Sequence, residues 1–253
     1  VKTFSSFLNK KPIISHIAIA AFWFAVWELF NFLIPSRIII VSPRAAFLRL
    51  FELARTYTFW LAIGTTLGRV LIGFLLAMCT GIILAALSSR FIFIRRLFQP
   101  AVNVMNAIPI ASFVILALMA VSARNLSVII SFVTVLPIVY HNTLEGITAT
   151  NVQLLQMANV FRVGVWKKIW FIYRKTVSPF IFSAASAGIG FAWKSGIAAE
   201  LIGVVRNTIG GNLHMARIFL ETADVFAWTI AIVLLSYVME KVFKQLVTMS
   251  QAS

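Results

Sequence analysis

Acidic side chains are scarce in this chain: seven aspartates and glutamates stand against 22 lysines and arginines, and charged residues make up only 11% of its 253 positions. A soluble domain carries about 25% charge. The shortage, with 61% hydrophobic residues and a mean hydropathy of +0.97, excludes an ordinary soluble fold and indicates an integral membrane protein. The single cysteine, Cys79, excludes a disulfide framework and a thiol-rich metal site, and reads as a small buried hydrophobe. Histidine is nearly as rare. His141 and Glu145 stand at i and i+4, the spacing of two helical metal ligands, but His16 and His214 fall on other segments, so neither a metal site nor a catalytic set follows. No G-x-x-x-x-G-K-[ST] phosphate loop occurs, which excludes ATP hydrolysis by that route.

What remains is apolar helix. A crossing helix needs about 20 apolar residues, and six such runs occupy 12–34, 59–87, 97–121, 126–147, 177–202 and 225–247, with no second domain in 1–253. The net charge of +15 would point to nucleic acid in a soluble chain, but these cations sit between spans, where membrane topology accounts for them. Thirteen lysines and arginines fall in the segments that are cytoplasmic if both termini are inside, and seven in the others, so the expected orientation is N-in and C-in. The basic start at Lys10-Lys11 imitates a signal peptide, yet the run that follows is long and aromatic and contains Glu28. It reads as an uncleaved first helix.

Ser42-Pro43 opens an expected amphipathic helix on the outer surface, and a second short element is expected from Asn212 to Leu220, after Gly210-Gly211. Polar residues within spans are costly, so their spacing matters. On the fourth span Ser127, Ser131, Thr134, His141 and Glu145 share a face that reads as a wet seam; on the third, Asn103, Asn106 and Ser112 share a side, and Pro109 is placed to kink the helix. The run Ser183 to Gly188 permits close approach of another helix. Helix packing alone is the competing reading for all three. Arg69 lies about 15 Å along the second span, where it either attracts an anion or pairs with Glu28, Glu200 or helix-end carbonyls; Lys194 can do the same or snorkel.

The segment from Asn151 to Ser178 stands apart. It carries Arg162, Lys167, Lys168, Arg174 and Lys175, cannot lie across a bilayer, and is too long for a turn, so it reads as a cytoplasmic contact device. Together with Ser42-Pro43, Thr66-Leu67-Gly68-Arg69-Val70, Ile108-Pro109, Pro137, Ala192-Trp193 and Ala199-Glu200-Leu201-Ile202-Gly203, it makes the chain resemble the permease subunit of a bacterial type I ABC importer. The resembling group handles nitrate, sulfonates, taurine and bicarbonate. Such permeases carry a cytoplasmic E-A-A-x-x-x-G-x(9)-I-x-L-P motif. In that register Gln156-Met157-Ala158 stands for E-A-A, Arg162 for the glycine, Ile172 for the isoleucine and Arg174-Lys175 for L-P, so only Ala158 and Ile172 agree. Gly164 is expected to supply the turn that Arg162 would not favour.

The resemblance implies an all-α, six-span permease with a coupling helix between spans four and five, over about 151–176, in the bacterial inner membrane. Its expected partners are cytoplasmic ATP-binding cassette subunits, a second permease copy (a homodimer before a heterodimer), an external solute-binding protein and the bilayer, with no nucleic acid. ATP and magnesium would be used by the ATPase, and no cofactor is expected on this chain. Gln156, Met157, Ala158, Arg162, Gly164, Lys167 and Lys168 are the expected coupling residues; Asn103, Asn106, Ser131, Thr134, His141, Arg69 and Lys194 are the pathway candidates. A secondary carrier or channel shares the span count, though no paired broken helices mark an inverted repeat. A membrane enzyme could use His141 and Glu145 but lacks the rest of a site.

Overall fold

The computed structural model describes residues 12–34 and 40–252, with side chains over 18–34 and 40–245. His16, Lys10, Lys11 and Arg37 therefore lie outside the side chains described. Among the described residues there is helix and no strand. The helices are α1 (Pro12–Leu33), α2 (Pro43–Ala54), α3 (Tyr57–Arg90), α4 (Ile92–Ala107), α5 (Ile110–Ala120), α6 (Leu126–Thr148), α7 (Val152–Val160), α8 (Val165–Ile202), α9 (Ile209–Ile218) and α10 (Thr222–Ala252).

Local chemistry sets several starts. Ser42 accepts from the Ala45 amide at 3.3 Å with Pro43 in the first turn, Thr56 accepts from Phe59, and Asn151 accepts from Gln153. Three ends share a device. After α7, α8 and α9 the chain turns through Arg162 (φ 51°), Val204 (φ 50°) and Leu220 (φ 57°), and the next amide reaches back to Ala158, Glu200 and Ala216 respectively. This closure normally uses glycine, because a Cβ there costs roughly 1–2 kcal/mol.

The expectation for Gly164 is thereby corrected. Arg162 itself takes the left-handed position that the family motif gives to glycine, while Gly164, at φ −62°, only precedes α8. Two further boundaries differ. The third expected span is broken: α4 and α5 meet at Ile108-Pro109 with a 111° bend. The free carbonyls and the proline ring explain why the helix stops there. The fifth span begins at Val165 and runs unbroken to Ile202, through a π-turn at Ile169–Tyr173, so only 151–164 of the expected coupling segment is separate from it. Gly210-Gly211, expected before the last short element, lies inside the first turn of α9.

Four helices are long and apolar enough to cross a membrane, α3, α6, α8 and α10, and the bent pair α4–α5 makes a fifth. α1 is a 22-residue helix whose apolar described part is Ala18–Leu33. α6 is the centre, packed against α3 on one side and α8 on the other. In lipid there is little hydrophobic drive between helices, so close van der Waals fit carries association. Small residues make that fit. A Cβ on Gly73 of α3 would strike the Val128 carbonyl, and one on Gly81 would come within 2.9 Å of Val139, both on α6. Ala184, Ala185 and Gly188 of α8 are buried as expected of the small run, with Gly188 facing Val135. Tyr140, Trp193, Val70 and Val135 fill the layers between.

α2 packs against the start of α10 and against α3. Leu50, Leu53 and Ala54 pack on the core, and Arg49 binds Asp224 at the start of α10 through Nε to Oδ1 and through Nη2 to Oδ2 at 3.1 Å. Asp224, then Glu52, holds the Arg49 guanidinium charged well above its ordinary range.

Candidate functional site

Three features at different levels of the bundle carry its chemistry. α2 and the start of α3 mark one end; α7 marks the other.

At the α7 end, α7 and the first turns of α8 present an apolar, basic surface. Met157, Val160, Phe161, Val165 and Trp166 are exposed, Trp166 to 85%, flanked by exposed Arg162 and Lys167. Gln156 is exposed as well, but Ala158 is buried, so its side chain supports the turn instead of facing a partner. Lys168 donates to Asn159 Oδ1 across the turn, which leaves it partly engaged within the segment. Gly164 has open space around its Cα.

Midway, the α4–α5 break opens a cleft of about 500 Å³ between that bend, α6 and α8. Asn106 and Thr134 line it with Pro109, Phe113, Ile138 and Phe191. Asn103 is exposed one turn from Asn106 and is not among the lining residues. The wet seam expected on α6 is dry at Ser127 and Ser131, while Thr134 and His141 are half-buried and Glu145 is exposed. Ser131 is buried and donates to the Ala192 carbonyl at 3.0 Å, and Ser127 is buried against Glu200, so both knit α6 to α8. Thr134 alone of that trio reaches the cleft, while its hydroxyl donates to Ile130. His141 packs edge-on to Tyr140 and lies away from the cleft lining. Lys194 is exposed on α8.

Near the α2 end, Glu200 is fully buried and held by three donors: Thr66 Oγ1 at 2.8 Å, Ser127 Oγ at 2.9 Å and the Gly210 amide at 3.3 Å. Thr66 Oγ1 also accepts from the Ile209 amide at 3.0 Å. One carboxylate thus ties α3, α6 and α8 to the first turn of α9, and three of its roughly four acceptor sites are used. Gly210 lets the backbone come this close, since a Cβ there would lie 2.6 Å from the Ile197 carbonyl. Arg69 feels Glu200 through space, not Glu28, which is exposed on α1. Arg49, by contrast, makes direct ion pairs with Glu52 and Asp224. Sequence reasoning named Glu200 as one option for Arg69 but missed the network; the signal was Ser127 and Thr66, both small hydroxyls inside apolar runs. Among the described residues no group of three metal-ligating side chains forms.

Several apolar helices long enough to span, a helix pair broken at a proline and a short exposed helical turn at one end fit a multi-pass membrane protein. The chain belongs to the family of binding-protein-dependent transport system inner membrane components, whose model matches residues 77–247. It is similar to the nitrate import permease protein NrtB of Synechococcus elongatus, with 28% identity over 138 residues, 54% of this chain and 50% of that one. It is also similar to the taurine transport system permease protein TauC of Escherichia coli, 19% identical over 239 residues, 92% and 86% of the two chains. With the bicarbonate transport system permease protein CmpB of a Synechocystis strain it shares 26% identity over 145 residues, 57% and 51%. The chain spans about half the length of the nitrate and bicarbonate relatives it matches.

Proposed function

We propose that this chain is the membrane-spanning subunit of an ATP-driven importer for a small hydrophilic anion of the nitrate, sulfonate or bicarbonate kind. Two copies, most simply identical, enclose the pathway in a bacterial inner membrane, with both termini and α7 in the cytoplasm and α2 outside. A separate ATPase supplies the energy from ATP and magnesium, and an external binding protein delivers the solute. The chain itself hydrolyses nothing.

The observation that carries this reading is the pairing of the exposed α7 surface with the continuous helix Val165–Ile202. At 1.5 Å per residue its 38 residues reach about 57 Å, well beyond a hydrocarbon core of about 30 Å. One rigid element therefore joins the docking surface to Phe191 in the cleft and Glu200 in the buried network. ATPase closure pulls α7, α8 moves with it, and the cleft at the α4–α5 break changes the side to which it opens. Family membership and the relatives' names support the same reading.

The test is uptake into proteoliposomes holding this chain, its ATPase and its binding protein. Uptake of labelled anion should need all three and ATP, and vanadate should stop it. Uptake by this chain alone, down a gradient and insensitive to vanadate, would instead identify a carrier or channel.

A further inference from the structure

Near the α2 end, outside the network around Glu200, a cavity of about 490 Å³ is lined by Arg69, Arg124 and Arg206 together with Thr65, Val204 and Asn207. No acidic residue lines it. Arg69 lies deepest, about 18 Å along α3 from Tyr57 at the helical rise, while Arg124 and Arg206 are exposed at the rim. Arg69 Nη1 is buried with no hydrogen-bond partner. A buried guanidinium nitrogen left unpaired costs more than an ordinary polar group. Its available acid does not remedy this, because Glu200 is already engaged by Thr66, Ser127 and Gly210.

The arginines at this end divide into two kinds. Arg49 is neutralised by Asp224 and Glu52, and Arg55 lies over the Phe51 ring at 4.3 Å. Arg124 and Arg206 instead converge on the Arg69 pocket, where Arg124 repels Arg69. Like charges gathered in a concave site with low-dielectric walls focus the field that attracts an anion. The loop that brings Arg206 there is itself strained: Val204 and Asn207, on either side of it, both hold positive φ, 50° and 56°. A β-branched residue in that conformation is uncommon and persists only when surrounding structure over-determines it. Here the α8 closure and the Thr208 cap of α9 hold both ends of the loop.

We propose that Arg69, Arg124 and Arg206 form a receiving site for a small oxyanion at the mouth of the pathway, with the Arg69 guanidinium at its deepest point. Under the importer reading, on which the site's role in transport rests, the anion pauses here before reaching the cleft. Arg124 lies just before α6, and the cleft residue Thr134 is about 12 Å along that helix from its start at Leu126. The planar fork of each guanidinium suits carboxylate, sulfonate or nitrate oxygens.

Binding is measured directly, apart from transport, on the full chain in lipid nanodiscs with its ATPase bound and no binding protein present. The probe is sodium nitrate in gluconate buffer, read by isothermal titration and by the shift in Tm. Nitrate should bind wild type, and Arg124→Gln or Arg206→Gln should weaken binding about tenfold or more, the loss of one charge-assisted hydrogen bond, without changing the Tm of the nitrate-free protein. Arg69→Lys should retain weak binding where Arg69→Gln abolishes it. Equal nitrate binding by wild type and the rim variants would overturn the site. So would anionic lipid that copurifies with wild type and is lost from the variants with no nitrate effect, which would assign the pocket to a headgroup. Nitrate binding that persists in a chain showing no ATP-driven uptake would leave the site standing and remove the importer reading alone.

Discussion

Thr66 and Glu200, 134 positions apart, meet through a 2.8 Å hydrogen bond in a fully buried pocket where α3, α6, α8 and α9 converge. In a bundle whose helices gain little from burying apolar surface against one another, such polar ties fix which helix lies beside which. Arg69 stands one turn further along α3, close enough to feel the Glu200 carboxylate through space.

Glu200→Ala strands the Thr66 and Ser127 hydroxyls and the Gly210 amide at once. At about 1–3 kcal/mol for each buried unsatisfied group, the loss should exceed about 3 kcal/mol and show as a large fall in Tm and in the yield of monodisperse protein. Glu200→Gln keeps one acceptor oxygen and should lose less. Equal Tm values for both variants and wild type would remove the network from the account.

Gly210→Ala should mimic part of that damage without removing any hydrogen-bonding group. Its Cβ would press on Glu200 Cβ and the Ile197 carbonyl, so α9 must move away from α8. Fluorescence or amide exchange should report faster opening of α9, while Gly164→Ala, where a Cβ meets open space, should change little.

Arg162→Gly relieves a left-handed arginine and should stabilise the α7 turn by about 1 kcal/mol, read as slower exchange of the Arg162 and Val163 amides that close it. Arg162→Val should do the reverse. Arg162→Asn, which tolerates this conformation without the positive charge, separates the backbone effect from any charge contact with the ATPase.

Breaking the clip between α2 and α10 with Asp224→Asn should free α2 modestly. Arg49 is 39% exposed, so the pair contributes about 1 kcal/mol or less. Limited proteolysis near Arg55 should quicken at low salt, and high salt should bring wild type toward the variant by screening.

The helical bundle was legible because span-length apolar runs leave few alternatives in a bilayer. Pro109 was read as a kink and proved a full break of 111°, whereas Pro100, Pro137 and Pro179 sit inside unbroken helices, so the residue type alone does not tell a kink from a break. Arg162 misled for a reason that local propensity cannot reveal: the closure of α7 by Val163 onto Ala158 imposes a glycine-like conformation on whatever residue stands there. Ser127 and Ser131 look the same in sequence as Thr134, yet two face α8 and one faces the cleft. Periodicity placed them on one face of α6; only the neighbours decide which part of that face is wet. The three-arginine pocket was beyond sequence reasoning, because Arg69, Arg124 and Arg206 belong to three separate segments brought together by packing around Glu200.

The central claim is that the ATPase, through α7 and α8, sets which side of the membrane the α4–α5 cleft faces. Asn106→Cys in a Cys79→Ser background, reconstituted with the ATPase, can be probed with an impermeant thiol reagent from the α2 side. ATP with vanadate should raise the labelling rate of that cysteine several-fold over the nucleotide-free state, and a disruptive charge on the docking surface, Phe161→Asp, should abolish the difference. A labelling rate that is the same with and without nucleotide in the functional complex would contradict the account.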